Sequence, residues 1–327
     1  LKGLALSEFK KVTVVYTLGK MPFSKLIFLG MGEREQMNTM RMREAFAAVS
    51  SFVLEPASFV AKHAVCEGID VHQVCALFAE SYMLSVYEEC KAGKKSKTYA
   101  DVDILADEDV SKDIQTGLSY SEGINYARDL ANTPANIMTP KRLSEEAKEL
   151  ADRYGLECTI LNKQDLIDLK AGALLAVNQG SDEDPYMIVV RYQGKGEEDP
   201  YTALIGKGLT FDAGGYNLKS DPYGMKYDMC GGADVLGAIA IIAANHFPVN
   251  VVAIVPATEN LINGHACKPS DVVTSMSGKT IEVVNTDAEG RMILCDAITY
   301  AQKHLSNVTR IVDIATLTGA CARALGG

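Results

Sequence analysis

Two runs, "VNVVAIVPA" at 249–257 and "TRIVDIATLTG" at 309–319, read as continuous apolar strands. A strand with one wet face alternates apolar and polar residues; a continuous run belongs in a sheet covered on both faces. "YMIVVRYQG" and "YTALIGKG" repeat the pattern and end in glycine. Between them lie helical segments: "PKRLSEEAKELADRYG", with proline at its start and a glycine stop, and "GGADVLGAIAIIAANHF", apolar nearly all round. Strands alternating with helices predict an α/β fold: a smaller N-terminal α/β domain over 1–108, a linking helix over 109–131, and over 132–327 a larger α/β domain with a central, mostly parallel sheet. In the first part "MNTMRMREAFAAVSSFVLE" and "DVHQVCALFAESYMLSVYEEC" have helical spacing, and "DVDILADE" reads as an edge strand.

In covered sheets, functional residues collect where strands end. Three such ends carry charge: "IGKGLTFDAGGYNLK" with Lys207, Asp212 and Lys219; "MKYDMCGG" with Asp228; and "NTDAEGR" with Asp287, Glu289 and Arg291. Four carboxylates brought together repel unless a counter-charge separates them, and a divalent cation is the natural one. In an extended segment, residues two apart face the same way, so Asp287 and Glu289 are expected to address one centre, with Arg291 following if the extension persists. Oxygen-rich ligation without histidine or cysteine favours magnesium or manganese over structural zinc, while a catalytic site can still take zinc.

Other motifs point less far. "SGKT" at 277–280 ends like a phosphate-binding loop, but Val273 stands where its first glycine should be. No G-x-S-x-G is present, so a serine-hydrolase elbow is unsupported. His265 reads as a loop residue. The eight cysteines include no C-x-x-C pair and read as reduced thiols rather than a disulfide framework.

Taken together and in this order, "NTPANIMTP", "GKGLTFDAGGYNLK", "MKYDMCGGA", "ENLINGHACKPSDVV", "NTDAEGR" and "DIATLTGA" resemble the signatures of the leucyl aminopeptidase, or cytosol aminopeptidase, family. The resemblance is dense from about Asn132 onward and loose over the first 120 residues. It implies a two-metal aminopeptidase that removes N-terminal residues, leucine or other apolar ones, from peptides. Lys207, Asp212, Asp228, Asp287 and Glu289 match the metal ligands. Lys219 and Arg291 match the catalytic bases, Arg291 holding a bicarbonate that shuttles the proton. Met225, Thr316, Leu317 and Gly319 match the substrate pocket. The implied cofactors are two divalent ions, manganese or zinc or magnesium; the implied assembly is a homo-hexamer; the implied location is the cytoplasm. The stretch between Lys219 and Asp228 is shorter than in typical members, which loosens the specificity reading. The first residue is Leu1 and the family continues past "ATLTGA", so a longer polypeptide is expected.

Two competing readings follow. Basic "KAGKKSK" at 91–97 keeps DNA binding open, but a net charge of −10 counts against nucleic acid and against anionic membrane surfaces. No apolar run of transmembrane length is visible. A catalytically silent structural member is the other reading; all seven matched polar positions are intact, which counts against it.

Overall fold

The computed structural model describes residues 7–89 and 99–326, so the basic "KAGKKSK" and Cys90 lie outside the described residues. The chain divides into two compact units, 1–125 and 126–327.

The first unit contains an antiparallel hairpin, β1 (Val12–Tyr16) and β2 (Lys25–Leu29), then α1 (Thr39–Val49), β3 (Ala57–Val60), α2 (Val71–Ser85) and β4 (Val102–Leu105), which pairs in parallel with β3. Helix α2 starts at Asp70, whose carboxylate accepts the Gln73 N–H while the Gln73 side chain bonds back to the Asp70 N–H. Phe46, Phe59 and Phe78 pack edge-on and stacked at the centre of this unit's core. Helix α3 (Ser111–Asn132) contains the division between units.

The second unit is built on one six-stranded sheet. In chain order it contains α4 (Pro140–Tyr154), β5 (Glu157–Leu161), α5 (Lys163–Asp168), α6 (Gly172–Asn178), β6 (Tyr186–Gln193), β7 (Tyr201–Gly206), β8 (Gly208–Asp212), α7 (Cys230–Ala244), β9 (Asn250–Asn260), the small hairpin β10 (Val272–Thr274) and β11 (Thr280–Glu282), α8 (Glu289–His304), β12 (Val308–Ile314) and α9 (Ala320–Leu325). Helix α4 is capped by the Thr139 hydroxyl and stopped by Gly155 in the left-handed region at φ +64°. Strand order is β12-β7-β9-β6-β5, with β8 also on β9.

The sheet is mixed. β12, β7, β8 and β9 run parallel, β6 is antiparallel to both of its neighbours β9 and β5, and β5 therefore points the same way as β9. The expectation of a mostly parallel sheet thus holds, with β6 alone reversed. The link 194–200 is too short for a crossover helix, so β6 and β7 must run in opposite directions on either flank of β9. Strand β9 is buried along its whole length, between a core layer formed with α4 and α7 and another formed with α6 and α8. Strand β12 departs from the expectation of a doubly covered strand: it is a sheet edge, and Val312 and Ile314 are 43% and 37% exposed. By length and mean hydropathy the helical stretch Met225–Ala244 could cross a membrane, contrary to the sequence reading, yet 61% of its most apolar window is buried inside this unit.

Two irregularities in the centre of the sheet prepare the site. The ladder between β7 and β9 stops at Ile205–Ile254 and resumes between β8 and β9 at Gly208–Ala257. Pro256 lies in that gap and has no N–H to donate. Lys207, left between the two strand segments, donates its N–H to the Ile314 carbonyl (3.0 Å) and accepts from the Gly232 N–H (2.8 Å). The register then shifts at Thr210, a bulge that brings Asp212 rather than Phe211 opposite Asn260.

Candidate metal centre

Three segments of the second unit deliver charged side chains to one place. Lys207 projects from the break between β7 and β8 and is 2% exposed. The start of α7 lies against that break: a Cβ on Gly206 would fall 2.2 Å from the Gly231 carbonyl oxygen, so only glycine admits the approach. The single turn Met225–Met229 ahead of α7 carries Asp228 inward. The turn Thr286–Ala288 and the first residue of α8 carry Asp287 and Glu289.

The Lys207 ammonium lies 2.8 Å from Asp228 Oδ2 and 2.9 Å from Glu289 Oε1, and donates to the Thr316 carbonyl at 3.0 Å. The Lys219 ammonium lies 2.8 Å from Asp212 Oδ2 and 2.5 Å from Asp287 Oδ1. Oxygens of Asp212, Asp287 and Glu289 come within 4.8 Å of one another. Asp228 joins this group through the lysine it shares with Glu289. Burial pushes Lys207 toward the neutral form, but Glu289 and Asp228 outweigh it and hold its pKa above the ordinary lysine value. Lys219 follows the same pattern: burial works downward, and hydrogen bonds and charge from Asp212 and Asp287 raise it. Burial lifts Asp228 to about 6, against the opposing pull of Lys207 and a 2.7 Å bond from the Thr316 hydroxyl.

The residues fit a divalent cation. Four carboxylates share two ammonium groups, so positive charge is short. Glu289 Oε2 is buried without a hydrogen-bond partner. The contacts of Asp228 Oδ2 and Asp287 Oδ1 with the lysines are close in distance but lack hydrogen-bond geometry. Such oxygens are costly to bury and are suited to ligation.

The local geometry of "NTDAEGR" differs from the extended arrangement expected. Asn285 accepts the Asp287 N–H at 2.8 Å, closing a tight turn, and the chain enters α8 at Glu289. Asp287 and Glu289 converge across this turn-to-helix junction, not along a strand. Gly290 sits against the lysine: a Cβ there would be 2.8 Å from Lys207 Cε and Nζ. Arg291 is exposed on the first turn of α8 and makes no hydrogen bond or ion pair among the described residues. Of the pocket positions, Thr316 touches both Lys207 and Asp228, and Leu317 approaches Gly290. Met225 opens the turn that carries Asp228, and Gly319 precedes α9 with open space around it. "SGKT" is the turn of the β10–β11 hairpin, with Gly278 at φ +88°, and no helix follows it as a phosphate loop requires.

The sequence reading gave no role to Asn217, Asn260 or Thr286, which knit the site together. Thr286 and Asn217 exchange backbone N–H bonds with each other's side chains at 2.8 Å, and the Thr286 hydroxyl donates to the Gly214 carbonyl at 2.7 Å. Neutral amides and hydroxyls at strand ends look like ordinary turn residues in a sequence; their partners lie up to 72 positions away.

The catalytic-domain profile of the cytosol aminopeptidase family matches residues 125–327. The chain belongs to this family. It is 41% identical over 333 residues to a probable cytosol aminopeptidase of Geotalea uraniireducens (strain Rf4), covering 98% of this chain and 66% of that protein. A protein of the same description from Bacillus subtilis (strain 168) is 40% identical over 330 residues, covering 97% of this chain and 65% of that one. The chain thus spans just under two thirds of the length of these relatives. Among solved structures it is similar to the bottromycin maturation enzyme BotP, with a TM-score of 0.88 and 30% identity over 98% of this chain and 69% of BotP. BotP in complex with Mn gives a TM-score of 0.90 at 29% identity, covering 99% and 70% of the two chains.

Proposed function

We propose that this cytosol aminopeptidase family member is a metal-dependent aminopeptidase that releases N-terminal residues, leucine and other apolar ones, from peptides. The observation that carries the reading is the cluster of four carboxylates, three buried and Asp287 half-buried, sharing two lysines, with Glu289 Oε2 left unpartnered. Lys207, Asp212, Asp228, Asp287 and Glu289 would hold two divalent cations, manganese or zinc or magnesium. Bound there, such cations supply Lewis acidity toward the scissile carbonyl and acidify a water. The Lys219 ammonium is poised to donate to the oxyanion that develops on that carbonyl. The exposed Arg291 guanidinium would hold bicarbonate, which would supply general acid–base chemistry there. Met225, Thr316, Leu317 and Gly319 would border the first side chain of the substrate. A cytoplasmic homo-hexamer without DNA-binding or membrane-binding activity completes the reading. Its support is the family, the net charge of −10 and the description of the relatives as cytosol aminopeptidases.

The test is a panel of amino-acid amides, assayed with protein stripped by chelator and then resupplied with manganese, zinc or magnesium. Turnover lost on stripping and regained with metal, highest for leucinamide, is the expected result. Full turnover in protein shown metal-free by elemental analysis would overturn the proposal.

A further inference from the structure

Asn260 ends β9 with its side chain buried, 4% exposed, at the point where the Thr210 bulge has brought Asp212 alongside. Its Nδ2 group donates twice: to Asp212 Oδ1 at 2.8 Å and to the Thr286 carbonyl at 3.0 Å. Asp212 Oδ1 also accepts the Gly214 N–H at 2.9 Å, so this oxygen is committed to the protein and only Oδ2 faces Lys219. The Thr286 carbonyl belongs to the peptide unit that leads directly into Asp287. One amide therefore grips both arms of the carboxylate pair that closes on Lys219. The far side of the same pair is fixed by the reciprocal Thr286–Asn217 bonds. Asn260 makes no hydrogen bond to the Asp228–Glu289 pair around Lys207 among the described residues.

We propose that Asn260 is a positioning residue of the metal centre, fixing the separation of Asp212 and Asp287 and leaving one Asp212 oxygen to face a cation. The inference rests on the reading that these carboxylates hold divalent cations. Groups that orient metal ligands from behind typically contribute about 10–100-fold to affinity. Asn260 acts on one carboxylate pair, so its effect falls on one of two cations.

The test is Mn²⁺ titration of the chelator-stripped chain, followed by calorimetry and by the electron paramagnetic resonance of bound manganese. It is applied to wild type, Asn260→Ala and Asn260→Leu. The leucine variant fills nearly the same space without a donor, so packing is retained if alanine loosens the fold. The expected result is about 10–100-fold weaker binding at one site, the other unchanged, and a thermal midpoint of the stripped variant close to wild type. Equal affinity in all three proteins overturns the inference and leaves the functional reading intact. Loss of both sites together, or unfolding of both variants, also overturns it, because Asn260 would then be a general support of the fold. Absence of Mn²⁺ binding by wild type overturns the functional reading and this inference with it.

Discussion

Gly290→Ala separates the demands of the helix from those of the site. On α8 the change should help, though as the second residue of the helix Gly290 gains less than the about 1 kcal/mol by which alanine is favoured over glycine in a helix interior. At the site it should hurt. The added Cβ would fall 2.8 Å from Lys207 Cε and Nζ and 2.9 Å from Leu317 Cδ1. Non-bonded carbon contacts settle near 3.5 Å or beyond, so the end of Lys207 must retreat by about 0.7 Å. A surface lysine would simply swing away. The side chain of this one is 3% exposed and held at 2.8 Å, 2.9 Å and 3.0 Å by Asp228, Glu289 and the Thr316 carbonyl. A retreat of that size lengthens at least one of these contacts past hydrogen-bond range. Overpacking of this kind costs about 1–3 kcal/mol, which the helix gain partly offsets. The stripped variant should therefore unfold within about 2 kcal/mol of wild type. Its Mn²⁺ affinity should fall about tenfold or more at the site containing Glu289. Urea titration in chelator measures the first quantity and isothermal calorimetry the second. Gly264→Ala, where a Cβ meets nothing within 4 Å, is the control and should change neither. Wild-type affinity in Gly290→Ala would show that the position of Lys207 is not what Gly290 protects.

The two lysines should part company in mutants: Lys207→Ala is expected to weaken one metal, with partial rescue by excess metal. Lys219→Ala should keep both and lose roughly 100–1000-fold in turnover, as removal of an oxyanion donor does; metal content by mass spectrometry beside turnover at saturating metal decides it. Asp228 protonates at about 6 in the fold against an ordinary 3.8, so its contribution to the stability of stripped protein is complete below 3.8 and lost as pH rises through 6. Its full size is about 3 kcal/mol. Asp228→Asn should accordingly gain on wild type in thermal scans from pH 5 to 7, and a gap that stays constant would refute the assignment. Metal affinity of the wild type should rise over the same interval, because ligation needs the carboxylate. Asp296, fully buried on α8, accepts the N–H groups of Ala173 and Leu174 at the start of α6 and of Met276. Asp296→Ala should cost roughly 3–5 kcal/mol in urea denaturation, since three buried donors lose their acceptor; a loss below about 1 kcal/mol would refute this.

What the sequence made legible follows from how far each signal reaches. The β9 run announces a buried central strand because burial on both faces disfavours polar side chains without partners: 251–257 is apolar throughout, and all of Asn250–Asn260 is buried. The same inference misjudged β12, whose apolar Val308, Ile311, Val312 and Ile314 are interrupted by Thr309, Arg310 and Asp313 and whose outer side is uncovered among the described residues; apolar composition records preference, not the presence of a neighbour. Charged residues at strand ends stood out because charge beside an apolar run is costly without a purpose. Their convergence could be expected, but not the turn at Asp287, which depends on one hydrogen bond from its own N–H to Asn285. Asn260 was opaque because its partners come from Asp212 and Thr286, brought together only by the folded sheet.

The proline in the β9 ladder also bears on how the chain finds its register. A slip of two residues between neighbouring parallel strands keeps every side chain on its proper face, so an uninterrupted apolar pair penalises such errors only weakly. Here a slipped pairing would bring a residue of β7 or β8 into the gap at Pro256, where no N–H is offered. It would also pull Lys207 away from its bonds to Ile314 and Gly232. The break acts as an alignment mark: the two strand segments dock on β9 in one register, and that register is the one that aims a lysine and an aspartate at the same point.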